Sequence, residues 1–116
     1  MLLTFCRAKI ANARVTEAEL YYEGSITIDK TILEHVNLIP GEKVEVLNIN
    51  NGSRIETYII EGKADSGQIC LNGPAARSGF IGDKIIILSY GLVEESEIKK
   101  CKTRIVYLDD DNKPKT

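Results

Sequence analysis

The 116-residue sequence contains no tryptophan, one histidine, three cysteines and three prolines. Its longest unbroken apolar run is Ile85–Leu88, far below the roughly 20 residues that a membrane-spanning helix needs. Neither sign of charge dominates, because 15 basic residues stand against 17 acidic ones. Such a balance gives no general attraction to a nucleic-acid backbone or an anionic membrane. We therefore expect no nucleic acid and no membrane among the partners.

The first residues lack the order of a secretory signal, in which a basic start precedes an apolar segment. Here Leu2, Leu3 and Phe5 come before Arg7 and Lys9. On this order we expect a cytoplasmic protein.

Cysteine and histidine are too few and too scattered for common metal or disulfide chemistry. Cys6, Cys70 and Cys101 form no C-x-x-C pair, and His35 is the only histidine, so neither a disulfide framework nor a metal site is indicated. We expect buried or half-buried structural thiols and a surface or structural role for His35. P-loop, nucleophile-elbow and dinucleotide-binding patterns are also absent from the sequence. Any catalysis must therefore use other groups.

The residues that are present are typical of one small β domain spanning 1–116. The length suits a single hydrophobic core, and 43% apolar with 28% charged residues is an ordinary globular composition. Nine glycines separate short runs rich in Ile, Val, Thr and Tyr, which favours an all-β fold with short helices. The predicted strands are 3–13, 25–29, 43–50, 54–61, 68–71, 84–90 and 103–108.

Local signals refine this prediction at one strand connection and at the chain end. Asn51-Gly52 lies between two apolar-alternating runs and predicts a β-hairpin with a type I′ turn, because both residues tolerate positive φ. The tail 109–116 is polar throughout and is predicted to be a frayed end.

Three short helices are also predicted. Thr16 and Glu19 form a capping-box pattern, Asp29 is suited to cap a helix over 30–36, and Pro74 suits the first turn of a third helix.

Gly24-Ser25 precedes one of the predicted strands and has two interpretations. A Gly-Ser pair by itself predicts an ordinary turn. It is also the pair that an N-to-O acyl shift requires, because glycine leaves its carbonyl unshielded and the Ser25 hydroxyl can attack it when the backbone is held under strain.

Other motifs surround this pair in a definite order and spacing between Met1 and Tyr107. They are Lys9, Val15-Thr16 with Leu20, Tyr22-Glu23-Gly24-Ser25, Asn51-Gly52-Ser53-Arg54-Ile55-Glu56-Thr57-Tyr58, Asn72-Gly73-Pro74-Ala75-Ala76, and Gly82-Asp83. Together they resemble the aspartate α-decarboxylase family, which consists of pyruvoyl-dependent bacterial enzymes.

The resemblance implies a double-psi β-barrel that assembles as a homotetramer. It also implies a proenzyme that cleaves itself between Gly24 and Ser25, giving a β chain 1–24 and an α chain 25–116 that begins with a pyruvoyl group derived from Ser25. The implied reaction converts L-aspartate to β-alanine and carbon dioxide for pantothenate and coenzyme A biosynthesis. A ketone takes the electron-accepting role that pyridoxal phosphate has elsewhere, so neither that cofactor nor a metal is expected. A maturation factor remains open as a further partner.

Residue roles follow from the same resemblance. Ser25 would supply the ketone that forms a Schiff base with the substrate, and Tyr58 would donate a proton to the carbanionic carbon. Lys9 and Arg54 would hold mainly the side-chain carboxylate of aspartate, because a cation on the departing carboxylate would oppose its loss. The substrate contacts would include Thr57, Gly73, Pro74 and Ala75, and both Thr57 and Asn72 are candidates to assist cleavage.

Four positions differ from residues that the family often has. Ala11 and Tyr21 stand in place of histidine, Glu19 in place of aspartate, and Pro74 in place of alanine. Pro74 lacks an N–H that could contact the substrate, and Ala11 would lie near Lys9. The substrate contacts at these positions are therefore left open.

Two alternatives come from other classes of protein. One is a non-catalytic small β-barrel binding module in which Gly24-Ser25 is an ordinary turn. The other is a swapped-hairpin transcription regulator, which the dispersed basic residues and acidic excess disfavour. Self-cleavage distinguishes the enzyme from both.

Overall fold

The computed structural model describes residues 1–115 and is built mainly of β-strands. One α-helix, α1 (Lys30–Val36), and two 3₁₀ helices, Gly73–Ser78 and Glu95–Lys100, interrupt the strands. The eight strands are β1 (Leu2–Arg14), β2 (Glu17–Glu19), β3 (Ser25–Asp29), β4 (Lys43–Asn48), β5 (Arg54–Gly62), β6 (Ile69–Asn72), β7 (Lys84–Glu94) and β8 (Arg104–Tyr107).

The strands form one mixed sheet in the order β2-β6-β3-β5-β4-β7-β1-β8. Three neighbouring pairs, β1–β8, β2–β6 and β3–β5, run parallel, whereas β1–β7, β3–β6, β4–β5 and β4–β7 run antiparallel. Among residues 1–115, no further pairing joins β2 to β8, so the strand order has two ends. The prediction of an all-β fold with short helices is confirmed.

A single cluster of aliphatic side chains fills the interior, with Ile10, Ile26, Ile28, Ile85 and Ile87 all fully buried. Alternation along each strand explains this arrangement, because every second side chain points to the same face. Burying one such side chain stabilises the fold by about 1.5–3 kcal/mol. The core therefore fixes which face of each strand is available for chemistry.

Helix α1 forms as predicted, with Asp29 as its N-cap. The Asp29 side chain accepts a hydrogen bond from the Thr31 N–H at 2.8 Å, and Asn37, whose φ is 54°, caps the C-terminus of the helix. A helix this short is marginal in isolation. Its buried face, formed by Ile32, Leu33 and Val36, holds it against the core.

The prediction of a helix from Thr16 and Glu19 is wrong, because Glu17–Glu19 forms strand β2 and pairs with β6. The Thr16 N–H donates to the Ile69 carbonyl at 2.8 Å, and the Thr16 hydroxyl accepts from the Ile69 N–H at 2.9 Å. The hydroxyl that would cap a helix is thus used across the sheet.

The predicted hairpin joins β4 to β5, but its predicted type I′ turn is wrong. Gly52 has a φ of 76°, whereas the φ of Asn51 is not positive. A type I′ turn needs a positive φ at both residues. The connection is a longer loop, 49–53. It is organised by Asn48, whose side-chain oxygen accepts from the N–H groups of Asn50 and Asn51 at 2.8 and 3.3 Å.

The helix predicted after Pro74 is present as the 3₁₀ helix Gly73–Ser78. The tail, in contrast, is not frayed over residues 109–115. Pro114 bridges to Leu108, and the side chain of Asn112 is buried, where it donates to the Arg14 and Gly67 carbonyls at 2.8 Å each. Thr116 lies outside the described residues.

The scarce residues are placed largely as expected. Cys70 is buried, Cys6 and Cys101 are half-buried, and all three are free thiols, while His35 is exposed on α1.

Over residues 1–115 we find no grouping of three or more His, Cys, Asp or Glu side chains suited to hold a metal ion. None of the helices described is long and apolar enough to cross a membrane.

Candidate processing and active site

The β3–β6 ladder positions the Ser25 hydroxyl. Ser25 lies opposite Asn72 and Thr27 lies opposite Cys70 in the antiparallel register. The intervening residues, such as Ile26, point into the core. Ser25, Thr27, Cys70 and Asn72 therefore share the other face of the ladder, which we call the β3–β6 polar face.

Ser25 is fully buried and its hydroxyl has two partners. The Asn72 side-chain Nδ2 donates to Ser25 Oγ at 3.0 Å, and Ser25 Oγ donates to the Glu23 carbonyl at 3.1 Å. Because Glu23 is two residues before Ser25, this second bond spans the Gly24-Ser25 peptide. The hydroxyl is thus held beside the peptide bond predicted to break.

The Asn72 amide makes two further contacts on the β3–β6 polar face. Its Nδ2 also donates to Thr27 Oγ1 at 2.9 Å, and its Oδ1 accepts from Cys70 Sγ at 3.1 Å. Burial raises the pKa of the Cys70 thiol to about 11, and the Glu17 and Glu19 carboxylates raise it in the same direction. The thiol is therefore protonated at neutral pH and acts as a donor.

Gly73 packs directly against the backbone of Gly24. Its φ is 64°, and a Cβ added there would lie 2.5 Å from the Tyr22 carbonyl oxygen, 2.9 Å from Gly24 N and 3.0 Å from Gly24 Cα. Any side chain at position 73 would thus collide with main-chain atoms. Glycine is required at position 73 because it both permits this conformation and leaves the space that Gly24 occupies.

The same close approach predicts that Gly73→Ala destabilises the fold more than a matched change. Gly52 also has a positive φ, 76°, but a Cβ added at Gly52 would have no atom within 4 Å. Gly52→Ala should therefore lower the free energy of unfolding by about 1–2 kcal/mol, the cost of left-handed backbone. Gly73→Ala should lower the free energy of unfolding by the same amount and by about 1–3 kcal/mol more, because the new methyl group is overpacked. Urea denaturation measures both variants, and equal losses would show that the Gly73–Gly24 contact is not tight.

A cavity of about 450 Å³ opens beside Gly24. Four of the predicted site residues line it together with Gly24, namely Thr57, Tyr58, Pro74 and Ala75. Ile55, Glu56 and Ser78 complete the lining. The cavity offers a small molecule a route to the Gly24-Ser25 bond.

Tyr58 reaches this cavity because β5 runs parallel to β3. Ile26 is paired with Ile59 in this register, so continuing it by one residue places Ser25 level with Tyr58. Neighbouring strands are about 4.8 Å apart. Tyr58 is 38% exposed, which leaves its phenol accessible to a bound molecule.

Lys9 and Arg54 are placed elsewhere in the single chain. Lys9 lies on β1 between Leu88 and Ile105, and β5, β4 and β7 separate β1 from β3 in the sheet. Arg54 Nη1 donates to Glu45 Oε1 at 2.9 Å and lines a different cavity, of about 290 Å³. Within the described residues, neither Lys9 nor Arg54 lines the cavity beside Gly24.

The positions that differ from the family are dispersed. Ala11 is buried on β1 opposite Tyr107, and Tyr21 is 96% exposed. Glu19 pairs with Asn72 across β2 and β6. Pro74 alone lines the cavity beside Gly24.

The sequence motifs do not indicate two residues of the β3–β6 polar face. They assign no role to Thr27 and predict only a structural thiol at Cys70. The available signal was spacing. Ser25 and Thr27 are two apart on one predicted strand, and Asn72 is the first residue after another predicted strand and two residues from Cys70, so each pair shares a face when the second strand extends to Asn72.

The fold and this site define a small double-psi β-barrel protein with a buried serine beside a main-chain carbonyl. The structure is similar to that of a rationally designed protein, mkDPBB_sym_86, with a TM-score of 0.50 and 17% sequence identity. The superposition covers 66% of this chain and 90% of the designed protein. At that identity the likeness shows the fold alone.

Sequence comparisons identify the family. The aspartate decarboxylase family profile matches residues 1–115. The chain is 50% identical to the aspartate 1-decarboxylase of Leptospira biflexa over 99% of its length and 98% of the relative. It is 53% identical to that of Clostridium beijerinckii (97% and 90% covered) and 54% identical to that of Bacillus thuringiensis (97% and 88% covered). The chain belongs to the aspartate decarboxylase family and is an enzyme of the lyase class.

Proposed function

We propose that this chain decarboxylates L-aspartate to β-alanine and carbon dioxide, supplying β-alanine for pantothenate and coenzyme A synthesis, and that it uses a pyruvoyl group made from Ser25. The observation that carries this proposal is the buried Ser25 hydroxyl, hydrogen-bonded to Asn72 beside the Gly24 carbonyl and next to an open cavity. Relatives named aspartate 1-decarboxylase, about half identical over nearly the whole chain, support the substrate.

Glycine at position 24 supports a chemical rather than a packing role. Its φ lies outside the left-handed region, and an added Cβ would meet only Pro74 Cδ at an ordinary 3.5 Å. The fold would therefore accept alanine at this position. An unshielded carbonyl, in contrast, is what attack by the Ser25 hydroxyl needs.

The proposed maturation proceeds through atoms already in place. Ser25 Oγ attacks the Gly24 carbonyl carbon, the C–N bond breaks, and the hydroxyl proton passes to the freed amine, leaving an ester. Loss of the Ser25 Cα proton then breaks the Cβ–O bond, releases the Gly24 carboxylate and leaves dehydroalanine. Addition of water expels ammonia and leaves a ketone. The balance is one water consumed and one ammonia released.

The two products would remain together as one domain. Residues 1–24 contain β1 and β2, which are hydrogen-bonded to β7, β8 and β6 of the remaining chain. Cleavage after Gly24 breaks none of these ladders. We therefore expect both fragments to separate only under denaturing conditions.

The residues at the site fit a pyruvoyl group. Ser25 is the residue from which the pyruvoyl group would be made. The Asn72 side-chain N–H, which donates to Ser25 Oγ, is a buried donor that a carbonyl oxygen of the group can accept from. A pyruvoyl ketone supplies an acceptor for the electrons left when carbon dioxide departs. It carries no phosphate, so the site needs no anion cradle.

The lining residues then bind the substrate and donate a proton to it. Tyr58 is the proton donor to the substrate carbon, and Thr57 binds the substrate beside it. At the 73–75 turn Pro74 has no N–H, so the main-chain donors available to a carboxylate are those of Gly73 and Ala75. Lys9 and Arg54 supply positive charge to the retained carboxylate, and Arg54 must exchange Glu45 for the substrate to do so.

Because Lys9 and Arg54 lie away from the cavity beside Gly24, we propose a homotetramer with the active site at a contact between chains. Substrate pockets often form between subunits. Light scattering should give four times the mass of the single chain. A fully active monomer would contradict a shared pocket.

Mixed tetramers provide a sharper test of that sharing. A Lys9→Ala chain retains Ser25, and a Ser25→Ala chain retains Lys9, and each alone should be inactive or nearly so. Co-expression should restore activity if Lys9 reaches the Ser25 of a neighbouring chain. If co-expression restores none while both chains assemble, Lys9 does not act across the contact.

One denaturing mass measurement tests the proposed function most directly. It should show chains 1–24 and 25–116, the larger one lighter by one ammonia than its hydrolysis product. Comparing the purified protein with the protein in cell extract reveals whether a maturation factor accelerates cleavage. A single intact chain that cannot decarboxylate aspartate in either setting would favour the binding-module alternative.

A further inference from the structure

We propose that Cys70 and Thr27 are positioning residues that hold the Asn72 amide in the one orientation in which its Nδ2 donates to Ser25 Oγ. The inference rests on the proposed cleavage at Gly24-Ser25 and deepens it. Neither side chain contacts the reacting atoms. Both act through Asn72.

Strand register brings the four side chains together. In the antiparallel β3–β6 ladder, Thr27 is opposite Cys70 and Ser25 is opposite Asn72. Such directly opposite residues have Cβ atoms about 4.5–5.5 Å apart. Asn72 and Cys70 are both 3% exposed and Ser25 is 0% exposed, so water has little access to replace a lost partner.

The orientation of the amide depends mainly on Cys70. The hydroxyls of Ser25 and Thr27 can donate or accept, so they tolerate either orientation of the Asn72 side chain. A thiol is a poor acceptor, and Cys70 donates to Oδ1 at 3.1 Å. A rotated amide would instead direct an N–H group at the S–H group, which is the unfavourable arrangement.

Thr27 completes the arrangement by accepting the second N–H of Asn72 at 2.9 Å. Without that hydroxyl, one buried N–H would lose its partner, a loss that generally costs free energy. Thr27 thus stabilises the orientation that Cys70 selects.

The selected orientation determines where the Ser25 proton lies. With Nδ2 donating to Ser25 Oγ, the Ser25 hydroxyl is free to donate to the Glu23 carbonyl. A rotated amide would present Oδ1 and compete for that proton, turning the hydroxyl away from Glu23. Since small displacements of a reacting group can reduce a rate by about 100-fold, the orientation of Asn72 should control the rate of cleavage.

The experiment follows cleavage of newly made precursor by denaturing mass spectrometry. Cys70→Ala should slow cleavage by about 10- to 100-fold, and Cys70→Ser, which restores a donor, should return it close to the wild-type rate. Thr27→Val removes the hydroxyl at nearly constant shape and should slow cleavage less. Cys6→Ala is the control, because the Cys6 thiol donates to the Ala8 carbonyl on β1 and lies away from the β3–β6 polar face; its rate should not change.

A double-variant comparison separates positioning from a general loss of structure. In an Asn72→Ala background, Cys70→Ala should have no further effect, because the amide through which it acts is gone. An equal slowing in both backgrounds would overturn the inference, and so would wild-type cleavage by Cys70→Ala. Melting temperatures of all variants show whether each is folded.

A second measurement keeps the inference testable if the wild-type chain never cleaves. That outcome would refute the proposed function, and the orientation of Asn72 would then be measured alone. The ¹⁵N-resolved side-chain amide resonances of Asn72 should shift in Cys70→Ala and be restored in Cys70→Ser. Unchanged resonances in Cys70→Ala would overturn the positioning role.

Discussion

A Ser25→Ala variant is expected to remain one chain and to release no carbon dioxide from aspartate. Alanine has no oxygen to attack the Gly24 carbonyl, so no ester forms and no ketone can follow. Since enzymes typically accelerate reactions by about 10⁶-fold or more, activity should fall to the background rate. Denaturing mass spectrometry and a carbon dioxide assay on the same preparation measure both effects.

The matched control is Ser89→Ala. Ser89 is also fully buried in a strand, and its hydroxyl donates to the Glu42 carboxylate away from Gly24. This variant should lose some stability but still cleave. Full-rate decarboxylation by uncleaved Ser25→Ala protein would refute the pyruvoyl proposal.

Chemical trapping tests the same ketone in the wild-type protein. Borohydride added together with aspartate should abolish activity, because it reduces the imine that a ketone forms with an amine. Removal of pyridoxal phosphate should leave activity unchanged. Dependence on added pyridoxal phosphate would contradict a cofactor made from the backbone.

The sequence predicted the fold well where alternation and local turn chemistry agree. The Ser25–Asp29 strand and the Asp29-capped helix were both foreseen, because their determinants lie within a few residues of one another. Thr16 was misassigned, because its hydroxyl serves a residue 53 positions away. A local capping pattern carries no information about such a partner.

Long-range polar contacts also account for the other two corrections. The buried Asn48 side chain donates to the Ser78 carbonyl at 3.0 Å and to Asp83 Oδ2 at 2.9 Å, and it organises the loop that was predicted to be a tight turn. Asn112 anchors the tail through Arg14 and Gly67. In both cases a buried asparagine makes hydrogen bonds to residues distant in sequence.

The site was predictable in part for a similar reason. The sequence marks Gly24-Ser25 as the candidate cleavage pair through its chemistry and the motifs around it, since each motif is a short run or a fixed position in the chain. The pairing of Thr27 with Cys70 depends on which strands are neighbours, and no local pattern determines that order. The distance of Lys9 from the cavity likewise depends on the order of β1, β7, β4 and β5, whereas Arg54 lies on β5 itself and pairs with Glu45 on β4.

Tyr58→Phe is expected to mature normally and then turn over slowly. The change keeps the ring and removes only the hydroxyl. General acids typically contribute about 10²- to 10⁴-fold in rate, which is about 2.7–5.5 kcal/mol of transition-state stabilisation. We therefore expect kcat to fall by that range with little change in aspartate binding, because the hydroxyl acts after the substrate has bound.

Tyr90→Phe is the matched control for this variant. Tyr90 is 39% exposed, nearly the same as Tyr58 at 38%, but it lines a different cavity. Both variants should cleave between Gly24 and Ser25, because the acyl shift uses the serine hydroxyl and not a phenol. Steady-state kinetics on fully cleaved protein separates the two steps. A near-wild-type kcat for Tyr58→Phe would remove Tyr58 from proton transfer, and a failure to cleave would assign its hydroxyl to maturation instead.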